Sequence, residues 1–252
     1  TGSIDESVRH AVTKLSHIHF TATKRASQYV IRMGENPAHV FHTGCPSIDI
    51  LANIDLSINR DLAKRGMGVG PDIDLEKPYI VVLQHPVTTE YGDGYRQINE
   101  TVKAVERLRI QAVWLWPNVD AGSDDLSKCL RIYRERKKPD FIHFFKNFSV
   151  EDYARVIKNT ACIVGNSSSA LREGAFLGTP AVNIGTRQAG RESGHNVLHV
   201  TYDATEIEEA ISRQIKNGKY EPTTLFGDGN TSERIAEILA KIEVNIQKKL
   251  YY

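Results

Sequence analysis

From Ile4 onward, apolar residues fall at Ile4, Val8, Ala11, Val12 and Leu15. That spacing lays one apolar stripe along an amphipathic helix, with Ser3 placed to cap its start. A strand over 17–21, a helix over 23–33 stopped by Gly34 and Pro37, and a strand over 39–43 follow, so the chain opens in the order α-β-α-β. Gly44-Cys45-Pro46 interrupts this rhythm. From there to Pro78 a short helix precedes Gly66-Met67-Gly68-Val69-Gly70-Pro71, a glycine-rich stretch that reads as a connector.

Beyond position 78, short apolar runs alternate with amphipathic segments. Strands are predicted at 79–83, 112–116, 141–145, 161–164, 181–184 and 197–200, and helices at 95–108, 124–136, 150–159, 168–177 and 205–216. Repeated βα units whose strands are apolar throughout predict a parallel, doubly wound sheet covered on both faces. A last helix, over 231–252 after Gly227-Asp228-Gly229, is expected to pack outside that sheet. The boundaries implied are 1–45, a connector at 46–78, the sheet domain at 79–226 and a terminal helix at 227–252.

Composition narrows the function. With 252 residues, 40% hydrophobic and 25% charged, the chain is built like an ordinary globular protein, and no apolar run approaches the roughly 18 residues of a membrane span. A net charge of +1 gives no global field for nucleic acid, so partners are small molecules and any anion site is local. The three cysteines, Cys45, Cys129 and Cys162, are far apart, as suits free thiols in a reducing cytoplasm. None of the nine histidines pairs with Cys, Asp or Glu at a ligand spacing, so no metal is expected, and His17 and His19 are read as one half-exposed face of a strand.

In open α/β sheets, ligands lie beyond the carboxyl ends of the strands. His85, in Gln84-His85-Pro86, is suited to bind phosphate or move a proton, or simply to sit satisfied in the core. Asn118, in the 117–123 loop, either reaches the cleft or serves as turn and cap. Around Phe148, main-chain groups can read a base edge while the ring packs beside it. Gly165-Asn166-Ser167-Ser168-Ser169 opens a predicted helix, whose amides and serine hydroxyls accommodate a diphosphate. Glu173, about a turn inside that helix, either accepts from both ribose hydroxyls or complements the helix dipole. Arg187 and Arg191 sit in a glycine-flanked loop, where a guanidinium fork serves phosphate. The basic run around Arg131, Arg134 and Arg136 reads instead as a solvated helix end.

In order along the chain, Gly2-Ser3-Ile4-Asp5-Glu6-Ser7-Val8-Arg9-His10, Leu83-Gln84-His85-Pro86-Val87-Thr88-Thr89, Pro117-Asn118-Val119-Asp120-Ala121-Gly122-Ser123, Gly165-Asn166-Ser167-Ser168, Gly185-Thr186-Arg187-Gln188 and Gly227-Asp228-Gly229-Asn230 resemble the hydrolysing UDP-N-acetylglucosamine 2-epimerases of sialic acid synthesis. The resemblance implies a GT-B type α/β fold. One Rossmann-like domain is complete, a second is represented only by its C-terminal part at 1–45, and the terminal helix crosses back to that second domain. It implies UDP held by His85, Asn118, Phe148, Ser167, Ser168, Glu173 and Arg187. Catalysis would rest on Asp5 and His85, with further carboxylates of the N-terminal half absent from this chain, and His85 would be protonated against the diphosphate.

The implied reaction converts UDP-GlcNAc and water to N-acetylmannosamine and UDP through 2-acetamidoglucal. No cofactor takes part, the location is cytoplasmic, and the full-length protein is a homo-oligomer, a dimer or tetramer. The fragment alone is expected to be inactive. Three alternatives stand beside this reading: a 2-epimerase for UDP-2,4-diacetamido-trideoxy sugars, a GT-B UDP-sugar glycosyltransferase, and a non-catalytic UDP-sugar-binding module.

Overall fold

The computed structural model describes residues 5–58, 62, 67–243 and 247–251. The expected Ser3 cap, Ile4 and Gly66 lie outside them. In chain order the elements are α1 (Asp5–Leu15), β1 (His19–Thr21), α2 (Lys24–Arg32), β2 (Val40–His42), α3 (Pro46–Asn53), β3 (Gly68–Val69), β4 (Tyr79–Leu83), α4 (Gly94–Leu108), β5 (Gln111–Leu115), α5 (Ser123–Lys137), β6 (Ile142–Phe145), α6 (Val150–Asn159), β7 (Cys162–Gly165), α7 (Ser168–Leu171), α8 (Glu173–Leu177), β8 (Ala181–Ile184), β9 (Val197–Val200), α9 (Ala204–Asn217) and α10 (Thr231–Leu239). Among the described residues no helix is long and apolar enough to cross a membrane.

The chain divides into two compact units, one spanning Asp55–Pro222 and the other formed by the stretch up to Ile54 with that from Thr223. In the smaller unit, β1 and β2 pair in parallel, joined by α2, whose start is capped by the Thr23 hydroxyl accepting from Ala26 N–H at 3.1 Å. Pro46–Asn53, within the stretch expected as a connector, is a helix packed on α10. Asp49 holds the start of α10 by accepting the Thr231 N–H at 3.0 Å and the Ser232 N–H at 2.6 Å.

His19 is buried rather than half exposed. It lies 3.0 Å from Glu35, which also pairs with Lys14 and Lys248, each at 2.6 Å. Burial alone pushes the Glu35 carboxyl up, but hydrogen bonds from Lys14, Lys248 and His19 outweigh it and pull the pKa down to about 2. The last helix stops at Leu239 instead of running on through 251. The tail is claimed by other bonds, with Tyr251 N–H donating to the Gly34 carbonyl at 3.1 Å and Lys248 reaching the Thr13 carbonyl at 3.3 Å.

The larger unit is one seven-stranded sheet in the order β3-β6-β5-β4-β7-β8-β9. Every pairing is parallel except β3 with β6, and this antiparallel edge strand lies inside the expected connector. Tyr79, Ile80, Val81 and Val82 of β4 are fully buried, as a central strand covered on both faces must be. Ile98, Val102 and Val105 on α4 recur at helical spacing and enter the same core with Leu126 and Leu130 of α5. From β4 the chain proceeds to β5 and β6 on one side; from β7 it proceeds to β8 and β9 on the other. Strand order therefore reverses between β4 and β7, and loops leaving their carboxyl ends diverge around a crevice.

The helix expected over 168–177 is two pieces, with Arg172 at φ −90°, ψ −70° between α7 and α8. The Ala170 carbonyl, to which Gly174 would donate in a continuous helix, accepts instead from Asn196 Nδ2 at 3.3 Å.

Candidate functional site at the strand reversal

Gly165, the last residue of β7, has φ +131°, and a Cβ there would stand 2.0 Å from the Leu83 carbonyl oxygen. Only glycine lets the two strand ends close so tightly. The next residue, Asn166, is fully buried. Its Oδ1 accepts the His85 N–H at 2.7 Å while its Nδ2 donates to the His85 carbonyl at 2.8 Å. One amide thus occupies both main-chain groups of His85. The Asn166 carbonyl then accepts from Arg187 Nη1 at 3.3 Å and from Gln188 Nε2 at 2.7 Å. His85, Ser167 and Arg187, leaving three different strands, are gathered on this single residue.

The His85 ring is buried, and Nδ1 accepts the Asn118 N–H at 3.2 Å, so the neutral imidazole carries its proton on Nε2. Burial, with the Arg187 charge adding to it, lowers the pKa to about 4. Burial thus favours the uncharged imidazole, which donates through Nε2, whereas the protonated His85 expected from the sequence belongs to the complex with the diphosphate.

Ser167 caps α7, its Oγ accepting from Ser169 N–H at 3.3 Å. Because α7 is a single turn, its dipole is smaller than that of the ten-residue helix expected, and the hydroxyls carry more of any anion binding. Ser168 is half-buried, 3.4 Å from Arg172 Nη2. Glu173 does not lie a turn inside a helix; it opens α8, buried, with Arg172 Nη2 at 3.5 Å. Arg187 has 17% of its side chain exposed and stands 3.9 Å from Asp120. Its loop is fixed by Gly185, at φ +73°, where a Cβ would meet the Tyr202 ring at 2.1 Å.

Phe148 is buried against Phe145, with ring centroids 4.6 Å apart. Its N–H already donates to Asn147 Oδ1 at 2.9 Å, so a base edge read at that amide must displace a side chain. Asn118 is exposed and meets His85 through its main chain. Asp5 opens α1 in the other unit and is exposed.

Asn166 was legible only as part of a motif; its signal was a polar side chain at the end of an apolar strand. Gln84 gave the same signal, and buried Thr101 donates to its Oε1 at 2.6 Å to fix the end of β4.

A doubly wound parallel sheet with polar side chains converging where its strand order reverses defines an α/β protein built to hold a ligand at that edge. Residues 1–240 match the family model described as UDP-N-acetylglucosamine 2-epimerase, and the chain belongs to that family. It is 34% identical over 251 residues to UDP-N,N'-diacetylbacillosamine 2-epimerase (hydrolyzing) of Legionella pneumophila, covering 98% of this chain and 63% of that protein. It is 31% identical over 255 residues to UDP-N-acetylglucosamine 2-epimerase of Neisseria meningitidis serogroup B, covering 99% and 65%. The chain thus spans a little under two thirds of the length of these relatives.

Among solved structures, UDP-GlcNAc 2-epimerase from Neisseria meningitidis bound to UDP-GlcNAc superimposes with a TM-score of 0.70 at 16% identity, covering 91% of this chain and 63% of that one. The Methanocaldococcus jannaschii enzyme in complex with UDP-GlcNAc and UDP gives 0.66 at 16% identity, covering 90% and 62%. These likenesses fix the fold class as α/β of the GT-B type.

Proposed function

We propose that this chain supplies the UDP-binding half of a hydrolysing UDP-N-acetylglucosamine 2-epimerase. The carrying observation is the convergence of His85, Ser167 and Arg187 on Asn166 at the β4/β7 reversal, in a chain of this family. His85 Nε2, the hydroxyls of Ser167 and Ser168 and the Arg187 guanidinium receive the diphosphate. Glu173 takes the ribose hydroxyls, Phe148 lies beside the base, and Asn118 closes the rim.

In the reaction a base removes the C2 proton of the sugar and the C1–O bond to UDP breaks, giving 2-acetamidoglucal. Water then adds its hydroxyl at C1 and a proton at C2, releasing N-acetylmannosamine. The diphosphate cluster stabilises the departing charge. The base at C2 is Asp5 together with carboxylates of the longer protein, which we read as a cytoplasmic homo-oligomer whose N-terminal Rossmann-like domain ends at about residue 45.

A second reading has its own observation, the 34% identity to the diacetylbacillosamine enzyme: the sugar is then a UDP-2,4-diacetamido-trideoxy hexose. The deciding experiment supplies the full-length protein with each UDP-sugar and no acceptor. Release of N-acetylmannosamine from UDP-GlcNAc supports the first reading, and turnover of the diacetamido sugar alone supports the second. No free sugar from either, with transfer on adding an acceptor, replaces both by a glycosyltransferase. UDP binding without any turnover leaves a binding module.

A further inference from the structure

Behind Ser167 stands a buried hydroxyl chain. Tyr153 on α6 brings its phenolic oxygen to 2.6 Å from Ser169 Oγ, and Ser169 Oγ lies 3.1 Å from Ser167 Oγ. Ser167 and Ser169 are 9% and 8% exposed. Hydrogen counting sets the direction of this chain. Burial raises the Tyr153 pKa well above its ordinary value, so the phenol keeps its proton, and among the described residues the side chain it hydrogen-bonds is Ser169. Tyr153 therefore donates to Ser169. Ser169 in turn has one hydroxyl hydrogen, and donating it to Ser167 avoids stranding it inside. Ser167 Oγ then accepts twice, from the Ser169 hydroxyl and from the Ser169 N–H at 3.3 Å. Its own hydrogen is left without a protein acceptor among the described residues, one position along the chain from the Asn166 carbonyl that holds Arg187.

We propose that Tyr153 is a positioning residue which, through Ser169, fixes the Ser167 hydroxyl as a donor to an anionic oxygen of the ligand. This rests on the reading of the site as a diphosphate site and adds how one of its donors is oriented. A hydroxyl whose lone pairs are both occupied can only donate outward, and successive donation polarises each O–H in the chain. The arrangement favours an acceptor-only group such as a diphosphate oxygen over a hydroxyl or amide that must also donate.

Calorimetry with UDP and, separately, uridine tests it. Tyr153→Phe should weaken UDP by about threefold to tenfold while leaving uridine unchanged, because only the diphosphate meets Ser167. In a Ser167→Ala background the same substitution should add nothing to the loss. Equal weakening of UDP and uridine, unchanged UDP affinity, or additive losses in the double variant would each overturn the relay. Should Tyr153→Phe unfold, Ser169→Ala cuts the chain at its middle and must give the same selective loss. A parent protein that binds UDP no better than uridine overturns the diphosphate reading itself, and the relay with it.

Discussion

His85 shows how far one side chain can be read before its neighbours are known. Its place after an apolar strand suggested phosphate chemistry, but its charge state depends on burial and on Arg187, 102 positions away in the chain. A consequence for stability follows. Between the ordinary histidine pKa of 6.5 and the folded value of about 4, the unfolded chain holds a proton that the folded chain refuses. Acidification through that window therefore favours unfolding, whereas above it the full stability remains. Urea unfolding at pH 7 and at pH 4.5 should show the parent losing more stability than His85→Asn, by up to an order of 3 kcal/mol. Equal acid losses in both proteins would mean that His85 titrates normally.

Glu173 makes a second residue-scale prediction, because a buried carboxylate at the start of α8 is suited to accept two ribose hydroxyls. Glu173→Ala should weaken UDP by about 1–3 kcal/mol, and calorimetry finding the parent affinity would remove it from the site. The sequence supplied the residue types of this site; it did not supply their linkage. Asn166 binds His85 across 81 positions and Arg187 across 21, and no local pattern encodes such partners.

At the scale of elements, legibility follows how local the cause is. Strand β4 was plain because all its residues are apolar and it is buried on both faces. Strand β3, two residues long at Gly68–Val69, has no periodicity to detect, and exists because β6 offers it an edge. The break at Arg172 depends on Asn196, and the early end of α10 on a tail held by Gly34 and Glu35. Both causes lie outside any local window.

The β7 turn depends on glycine for the opposite reason, a purely steric one. Gly165→Ala forces a Cβ to within 2.0 Å of the Leu83 oxygen at φ +131°, so thermal unfolding should show a loss of more than about 2 kcal/mol. A variant with parent stability would mean that the strand ends separate at little cost. The Glu35 cluster makes a complementary prediction for the smaller unit. Its carboxylate is held by Lys14, His19 and Lys248, with a pKa of about 2, so its stabilisation is complete above the unfolded value of 4.5 and is lost as pH falls toward 2. Glu35→Gln should destabilise that unit by about 2–3 kcal/mol, a discounted figure because Lys14 and Lys248 keep contact with solvent. Hydrogen exchange should quicken in α1, α2 and the tail, and UDP affinity should stay at the parent value. Faster exchange spread equally over the seven-stranded sheet would show that the two units unfold as one.

At the scale of the whole molecule, the two units differ in how well they can stand alone. The larger one has a continuous core on one face of its sheet, with Ile80, Val82, Trp114 and Phe144, and buries Val81, Val113 and Ile163 on the other, whereas the smaller has a two-stranded parallel sheet and an α1 helix with no buried residue. Val8, Val12 and Leu15, the apolar stripe that makes α1 recognisable as an amphipathic helix, are 56%, 54% and 80% exposed. Parallel strands are ordinarily covered on both faces, and so small a unit has little core of its own. Asp5, the one proposed C2 base in this chain, sits on that helix. A base displaced by about 1 Å can lose on the order of a hundredfold in rate, and the carboxylates we assign to the longer protein would be missing altogether. The 252-residue chain should therefore bind UDP through its larger unit and yet release no N-acetylmannosamine from UDP-GlcNAc, while α1 exchanges its amides much faster than β4 or β7. Assayed beside the full-length protein, turnover by this chain within about tenfold of the longer one would overturn the assignment of the base to the N-terminal half and the division of labour between the two halves.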